Sequence, residues 1–280
     1  MISVKDYVRI RKEEFKNRIE KLNGYRPTIK IISFKNDSSN ESYIRGIKKD
    51  CEELGIHVES FLVSNPSLKD KYTLSKEISI ILKWKECDGF IMQNPIPEHL
   101  PKLDFQRKEN LDIYIPSIVY PCTPSGVIDY LKYIEYDFQN KVACVIGRSD
   151  TIGKPLAEML LKENATVITC HSKTSLENMM HLVDDSDIVF TCIDKIEYFT
   201  DDYFMGIKDI IDFGIGIGKD GKLHGNLTSE CVRYNKSWNP NGIIISGSGG
   251  TGLLTRIKLF DNLISNAEKN YRELSRSNRG

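Results

Sequence analysis

Long apolar runs, a net charge and paired cysteines are all missing from this sequence of 280 residues. No apolar run approaches the roughly 18 residues of a membrane-spanning helix, and the charged start, with Lys5 and Asp6, does not resemble a signal peptide. We therefore expect a soluble cytoplasmic protein without a membrane partner. Lys plus Arg and Asp plus Glu both number 39, and this balance gives no support to a nucleic-acid partner.

The cysteines and histidines lack the spacing of a metal site. The seven cysteines include no Cys-x-x-Cys pair, and Cys144, Cys170 and Cys192 lie in apolar, strand-like runs. Scattered cysteines of this kind are typical small core residues in a reducing compartment. The five histidines show no ligand spacing with one another or with cysteine, so we predict no metal site.

The N-terminal part of the chain alternates continuous β-branched or apolar runs with segments of helical periodicity. The runs predict strands at 28–34, 57–63 and 87–93, and the periodic segments predict helices at about 6–22, 41–54 and 74–84. This βαβαβ alternation predicts a parallel sheet with helices on both faces. An irregular segment, 103–120, and a proline-punctuated helix at 125–134 follow and form a plausible link between two domains.

The second half of the chain repeats the same alternation. Its predicted strands are 142–146, 166–170, 187–192, 209–213 and 242–245. Helices separate the first three strands, a turn is predicted at 219–221, and the glycine-rich loop 246–252 opens a final helix. The fold class is therefore α/β in two domains, an N-terminal three-layer α/β domain and a Rossmann-like NAD(P)-binding domain.

The stretch from Lys141 to Thr174 reads as strand, glycine turn, helix and strand. The turn from Gly147 to Gly153 lacks the full Gly-x-Gly-x-x-Gly spacing, so taken alone it is equally consistent with an ordinary βα turn. Arg148 in the turn and Ser172 after the second strand favour a bound dinucleotide. Because His171, Ser172 and Lys173 stand where an acid would accept from a ribose hydroxyl, NADP is favoured over NAD. The glycines in 212–215 and 248–252 should lie at the same sheet edge, and glycines in such loops are equally common in plain turns.

A set of short motifs, spread in order along the chain, resembles those of the bifunctional methylenetetrahydrofolate dehydrogenase/methenyltetrahydrofolate cyclohydrolase family. The most specific pieces are Pro121-Cys-Thr-Pro-Ser-Gly126 and Gly147-Arg-Ser-x-x-x-Gly-x-Pro155. The others lie at 42–45, 53–56, 93–97, 165–167, 170–174, 186–188, 211–215, 249–252 and Thr255. The resemblance covers most of the chain and implies one cleft between two α/β domains. There the one-carbon bridge of tetrahydrofolate is oxidised and the methenyl product is usually hydrolysed.

The resemblance also implies roles for single residues. Tyr43 would line the folate site, Gln93 would hydrogen-bond near the reacting centre, and Asp112 would bind the pterin's amino and ring N–H groups. The residues implied for NADP are Gly147, Arg148, Ser149, Ser172, Ile215, Gly249, Gly250 and Gly252. The implied domains are a folate-binding catalytic domain of residues 1–124 plus 256–280 and the NAD(P)-binding domain of residues 125–255. A homodimer through the cofactor domain is also implied.

Several departures from the family pattern cluster on the folate side. The family places a lysine four residues after the tyrosine, and here that position is Ile47. Lys48 and Lys49 point about 100° and 200° away on a helix, so neither replaces it. The other departures are the altered run 109–113, a shortened segment to Pro121, Lys35 and Asp194 for glycines, Asn226 for an aspartate, and Ser248 and Leu253 for prolines. Hydride transfer depends on aligning two bound reactants, whereas hydrolysis needs an activated water or a stabilised charge. We therefore predict a dehydrogenase with weakened or absent cyclohydrolase.

Two alternatives remain open at this point. Ile47 and the altered 109–120 segment also fit a catalytically silent paralogue that binds folate or a dinucleotide as a sensor or partner subunit. A different NADP-linked oxidoreductase on the same scaffold is a third hypothesis, because a fold alone does not fix the substrate. An assay of NADPH formation distinguishes the silent paralogue from the dehydrogenase. Convergence of Tyr43, Gln93 and Asp112 across a cleft from Arg148 would favour the folate enzyme over a different oxidoreductase.

Overall fold

A computed structural model describes residues 2–35, 38–83, 87–100, 105, 109–113, 115–204 and 209–277. Within these residues the chain divides into two compact units. The N-terminal unit comprises residues 9–113 and 257–280, and the central unit comprises residues 1–8 and 114–256. In the described part of the chain, no helix is both long and apolar enough to cross a membrane.

The N-terminal unit is built on a parallel sheet with strand order β2-β1-β3. Its elements are α1 (Val4–Glu20, shared with the central unit), β1 (Thr28–Ser33), α2 (Ser38–Leu54), β2 (His57–Leu62), α3 (Lys71–Lys83) and β3 (Gly89–Met92). Because β2 and β3 flank β1 on opposite sides, right-handed crossovers place α2 and α3 on opposite faces of the sheet. Apolar side chains of α3 pack on one face with Ile32 and Phe90 in a buried cluster.

The last helix of the chain completes this unit. Arg18 on α1 donates hydrogen bonds to Asp261, Ser265 and Glu268, with N···O distances from 2.6 to 3.1 Å. Further along the same helix, the Asn270 amide donates to the buried carboxylate of Asp88 at 2.9 Å. The helix, α8, spans Gly252–Ser277, so its contacts join residues that are up to 250 positions apart.

The central unit contains a parallel sheet with strand order β10-β7-β6-β4-β5. Its strands are β4 (Val142–Ile146), β5 (Thr166–Cys170), β6 (Ile188–Thr191), β7 (Asp209–Asp212), the short antiparallel pair β8 (Gly216–Ile217) and β9 (Leu223–His224), and β10 (Ile244–Ile245). Its helices are α4 (Cys122–Tyr133), α5 (Gly153–Lys162), α6 (Leu176–Asp184) and α7 (Ser229–Trp238). The chain passes from β5 back across β4 to β6, and this reversal marks the usual ligand-binding crevice of such sheets.

The predicted α/β fold with its Rossmann-like sheet is confirmed, and the differences are local. Helix α2 begins at Ser38, three residues before the predicted start, and α4 begins at Cys122 because Pro124 fits a first helical turn. The loop predicted at 246–252 is largely one turn of π-helix, Gly247–Thr251. Helix α7 was not predicted. Residue 84 of the predicted third helix and parts of the irregular segment 103–120 lie outside the described residues.

No disulfide joins the seven cysteines, and five of them are buried, as predicted for core residues. Cys51 and Cys231 are wholly buried, and burial raises the pKa of each thiol to about 12. Cys192 is half-buried, and burial of its sulfur likewise raises its pKa to about 12. These thiols are therefore protonated at neutral pH and unreactive.

Candidate functional site

The turn after β4 is a tight glycine turn. Gly147 has φ of 137°, and a Cβ on it would lie 2.3 Å from the carbonyl oxygen of Cys192, the residue that follows β6. Gly153 at the other end of the turn faces backbone too, since a Cβ there would lie 2.4 Å from the Gly147 carbonyl oxygen. A side chain fits at neither position without a shift of the backbone.

Helix α5 begins directly behind this turn. The hydroxyl oxygen of Ser149 accepts from the N–H groups of Ile152 and Gly153, at 3.2 and 3.3 Å. Ser149 therefore satisfies two donors at the helix N-terminus, and its own hydroxyl hydrogen remains available to donate. The neighbouring Arg148 side chain is exposed at the carboxyl edge of the sheet. A helix N-terminus with a guanidinium beside it attracts anions.

The loops after β4 and β5 leave the sheet side by side. Ile146 pairs with Cys170, and the Gly147 N–H donates to the Cys170 carbonyl at 2.9 Å. Arg148 and Ser172 each stand two residues beyond this pair, on neighbouring loops, and both are exposed. The parallel register therefore brings the two loops that carry Arg148 and Ser172 to one place on the edge.

The end of β7 carries a buried carboxylate that the sequence analysis did not assign a role. Asp212 is 1% exposed, and its Oδ1 accepts from the Thr191 hydroxyl at 3.0 Å and the Gly214 N–H at 2.8 Å. Oδ1 also accepts from the Asn226 N–H at 3.0 Å, and Oδ2 accepts from the Leu227 N–H at 3.1 Å. Burial raises the pKa of Asp212, and these donors oppose the rise. The carboxylate joins three loops at the carboxyl edge of the sheet.

Asn226 extends this network to the loop after β6. Its Nδ2 donates to the carbonyls of Ile193 at 2.8 Å and Lys195 at 2.5 Å, and its Oδ1 accepts from the Ile193 N–H at 3.2 Å. The side chain is wholly buried. Since the amide both donates and accepts, it fixes the 193–195 loop in a way that a carboxylate cannot.

The glycine-rich segment before α8 packs against the loop after β7. A Cβ on Gly247 would lie 1.7 Å from the Gly214 carbonyl oxygen, so the two loops touch backbone to backbone. Gly249 has φ of 92° with open space where a Cβ would point. Gly250 meets the Ile245 side chain, and Ile215 on the facing loop is 54% exposed.

These loops fit a dinucleotide. Glycines with no room for a side chain, the Ser149 hydroxyl at the start of α5 and the Arg148 guanidinium all lie along one sheet edge. Such an edge accommodates the pyrophosphate and ribose of a nicotinamide cofactor by close backbone approach. No cluster of three or more potential metal ligands occurs among the residues that the structure describes.

In the N-terminal unit, Tyr43 and Ile47 lie on α2, one turn apart. Tyr43 is half-buried and Ile47 is 0% exposed. Lys48 and Lys49, which follow Ile47, are both exposed on other faces of the helix. The position that holds a lysine in the resembled family is therefore an apolar core position here.

A buried lysine does exist in this unit, on the far side of the sheet. Lys30 in β1 is 0% exposed, and its Nζ donates to the carbonyls of Ile81 at 2.8 Å and Leu82 at 3.4 Å near the end of α3. Since α2 and α3 cover opposite faces, Lys30 cannot take the place of a lysine at Ile47. It instead satisfies the last carbonyls of a helix.

Gln93 and Asp112 both lie at the carboxyl edge of the N-terminal sheet. The Gln93 N–H donates to the Ile32 carbonyl at 2.8 Å, directly after β3. The chain before Asp112 runs parallel to β3 through a bridge between Phe90 and Asn110, which brings the exposed Asp112 to the same edge. Tyr43 lies on α2, the helix that follows β1 and therefore starts from this edge.

Sequence reasoning missed Asp212 and Asn226 as site-building residues. One signal was available, because Asp212 directly ends the apolar run Ile210-Ile211, and a carboxylate there must find donors within the edge loops. His171 was named only as one of the residues in place of an acid, and Thr174 was given no role, although both shape the loop after β5. The His171 N–H donates to Thr174 Oγ1 at 3.0 Å.

Comparison with known proteins adds family matches over nearly the whole chain. Residues 2–108 match the tetrahydrofolate dehydrogenase/cyclohydrolase catalytic domain, and residues 121–271 match the NAD(P)-binding domain of the same family. The "Bifunctional protein FolD" of Bacillus cereus (strain G9842) is 31% identical over 260 residues, which is 88% of each chain. That of Clostridium botulinum (strain Langeland) is 31% identical over 276 residues, 92% of this chain and 95% of the relative.

A solved structure agrees with these sequence matches. The bifunctional enzyme FolD, methylenetetrahydrofolate dehydrogenase/cyclohydrolase, from Campylobacter jejuni superposes with a TM-score of 0.83 at 26% identity. The alignment covers 96% of this chain and 98% of that one.

Proposed function

Because the chain belongs to the tetrahydrofolate dehydrogenase/cyclohydrolase family, we propose that it is an NADP-dependent 5,10-methylenetetrahydrofolate dehydrogenase of one-carbon metabolism. The observation that carries the proposal is the set of close-packed glycines at the carboxyl edge of the central unit, Gly147, Gly153 and Gly247, which we call the glycine cradle. Arg148 and Ser172 lie beside it on neighbouring loops. No acid follows β5, where one would accept from a free ribose hydroxyl, and a guanidinium with hydroxyl and ammonium groups favours a 2′-phosphate.

In this mechanism the chain mainly binds and aligns. A bound NADP would supply the acceptor for a hydride from the one-carbon bridge. The Gly147–Gly153 turn and the start of α5 would hold its pyrophosphate, and Ile215 with the glycines at 249, 250 and 252 would flank its nicotinamide half. Tyr43, Gln93 and Asp112 would hold the folate, with the Asp112 carboxylate accepting from the paired N–H groups of the pterin. Alignment of two bound reactants supplies most of the acceleration that hydride transfer needs.

We propose that hydrolysis of the methenyl product is weak or absent. A lysine one turn after the tyrosine could exchange a proton or stabilise charge at the carbon that water attacks. Ile47 is apolar and wholly buried, and the buried Lys30 serves the opposite face of the sheet. The dehydrogenase step does not require such a group.

The test follows both reactions with the purified full-length chain. NADPH formation from methylenetetrahydrofolate should be enzymatic, and loss of methenyltetrahydrofolate should stay within about twofold of the spontaneous rate in the same buffer. Ile47→Lys should raise hydrolysis, whereas Ile47→Met, which keeps an apolar chain of similar volume, should not. The melting temperature of both variants must also be measured, since a lysine at a fully buried position is destabilising. Wild-type hydrolysis far above the spontaneous rate would refute the proposed loss.

The silent paralogue remains the second candidate because the buried Ile47 removes the family's ionisable group. Binding of NADP and a folate analogue without NADPH formation would favour it over the enzyme.

We also propose a folate-binding catalytic domain of residues 1–124 plus 256–280 and an NAD(P)-binding domain of residues 125–255. The compact units differ slightly, since residues 1–8, 114–124 and 256 lie in the central unit. A cytoplasmic homodimer is expected as well, and light scattering and cell fractionation test the two parts of that expectation.

A further inference from the structure

The loop that follows β5 is held in a defined turn by two side chains. Nδ1 of His171 accepts from the Lys173 N–H at 3.2 Å, and Oγ1 of Thr174 accepts from the His171 N–H at 3.0 Å. The Thr174 N–H donates to the His171 carbonyl at 2.8 Å. The side chains and main chain of residues 171–174 thus hold one another in a closed turn.

The side chains at the tip of this turn face outward. Ser172 and Lys173 are exposed, whereas His171 and Thr174 at its base are partly buried. The turn starts directly after Cys170, whose carbonyl accepts from the Gly147 N–H, so Arg148 stands on the adjoining loop. A hydroxyl, an ammonium and a guanidinium are thus carried by two loops that leave the sheet together.

We propose that His171 is a positioning residue for the phosphate that distinguishes NADP from NAD. Its Nδ1 fixes the main chain of Lys173, so that Ser172 and Lys173 are presented, beside Arg148, to the phosphate monoester on the adenosine ribose. Without this acceptor the Lys173 N–H turns to water and the tip of the turn relaxes. NAD has no phosphate at that place, so the loss falls on NADP alone.

The inference rests on the proposed NADP-dependent function, and a matched pair of amides tests it. In His171→Asn the side-chain oxygen occupies the place of Nδ1, whereas in His171→Gln the amide lies one bond further out. The ratio of kcat/KM for NADP to that for NAD should fall about fivefold in H171Q, or about 1 kcal/mol at 1.4 kcal/mol per tenfold. The change should lie in KM for NADP, with kcat retained. H171N should stay within about twofold of wild type, since it keeps the acceptor.

Thr174 gives a second pair should H171Q fail to fold. Thr174→Ser keeps the acceptor for the His171 N–H and Thr174→Val removes it, so only T174V should lower the cofactor ratio. This inference alone would be overturned if the wild type prefers NADP but the cofactor ratio does not differ within either pair. The pairs are H171N with H171Q, and T174S with T174V. A wild type without preference for NADP would refute the proposed cofactor as well. A merely structural role would reduce kcat/KM equally with both cofactors and would also overturn the inference.

Discussion

Replacing Asn226 by aspartate should destabilise the central unit strongly at neutral pH. The change is almost isosteric, but it removes the two N–H donors that reach the carbonyls of Ile193 and Lys195. It also puts a second carboxylate into a fully buried position whose own N–H is bound by Asp212. The network would then hold two acids where it now holds an acid and an amide.

The expected magnitude follows from these contacts. A buried carbonyl without its donor costs about 1–3 kcal/mol, so two of them give a loss of about 4 kcal/mol in the free energy of unfolding. For a chain of this size about 1 kcal/mol lowers Tm by about 2 °C or more, which predicts a decrease of about 8 °C.

The pH dependence gives the sharper test. Burial already raises the pKa of Asp212, and a neighbouring acid would raise the pKa values of the pair further. An acid whose folded pKa is raised destabilises the protein once the unfolded chain ionises, and this cost disappears as the pH falls below its unfolded pKa. Once protonated, the carboxyl group introduced by N226D would also regain one donor. Calorimetric melts should therefore show the gap between N226D and wild type narrowing from pH 8 to about pH 4. A variant that melts within about 2 °C of wild type at every pH would refute the role of the amide.

Three further outcomes are expected. Gly147→Ala should abolish dinucleotide binding, because its Cβ would lie 2.3 Å from the Cys192 carbonyl oxygen; a fluorescence titration with NADP measures this, and an unchanged Kd would contradict the cradle. Lys30→Ala should lower the free energy of unfolding by about 3 kcal/mol and Lys30→Met by about 1 kcal/mol, since methionine keeps the buried stem and loses only the hydrogen bonds. Urea unfolding compares them, and equal losses would contradict this division. The hydrogen bond from Arg18 lowers the pKa of Glu268, so the pair stabilises above the unfolded pKa of that carboxyl, and this contribution is lost as the pH falls through the lowered folded pKa. Glu268→Gln should therefore lose less stability between pH 7 and about pH 3 than wild type, and parallel Tm curves would contradict the role of the pair.

Strands such as β4 and β5 could be predicted closely because their sequences are continuous runs of apolar and β-branched residues. Strands β4 and β5 have the bounds that the sequence predicted, 142–146 and 166–170. Helix α7 escaped prediction because it buries only Cys231 and Asn235, so its sequence shows no apolar stripe. A helix that contributes so little apolar surface is recognisable only once its neighbours are in place.

Part of the site could be predicted from strand order alone. Arg148 and Ser172 follow two strands of one βαβ unit, and such strands pair in parallel, so their loops meet. The bond between Asp212 and Asn226 depends instead on how the hairpin of β8 and β9 folds back over fourteen residues. Backbone closeness of that kind leaves no pattern in the sequence beyond the glycines that permit it.

Helix α8 has a consequence for the order in which the chain folds during synthesis. Residues 114–256 leave the ribosome as one block and can form their five-stranded sheet from neighbouring sequence. The three-stranded sheet is made earlier, but Arg18 and Asp88 must wait for residues 257–277 to supply their partners. The part of the molecule that is translated first is therefore the part that matures last, because its hydrogen bonds to α8 form only after the end of the chain has been made.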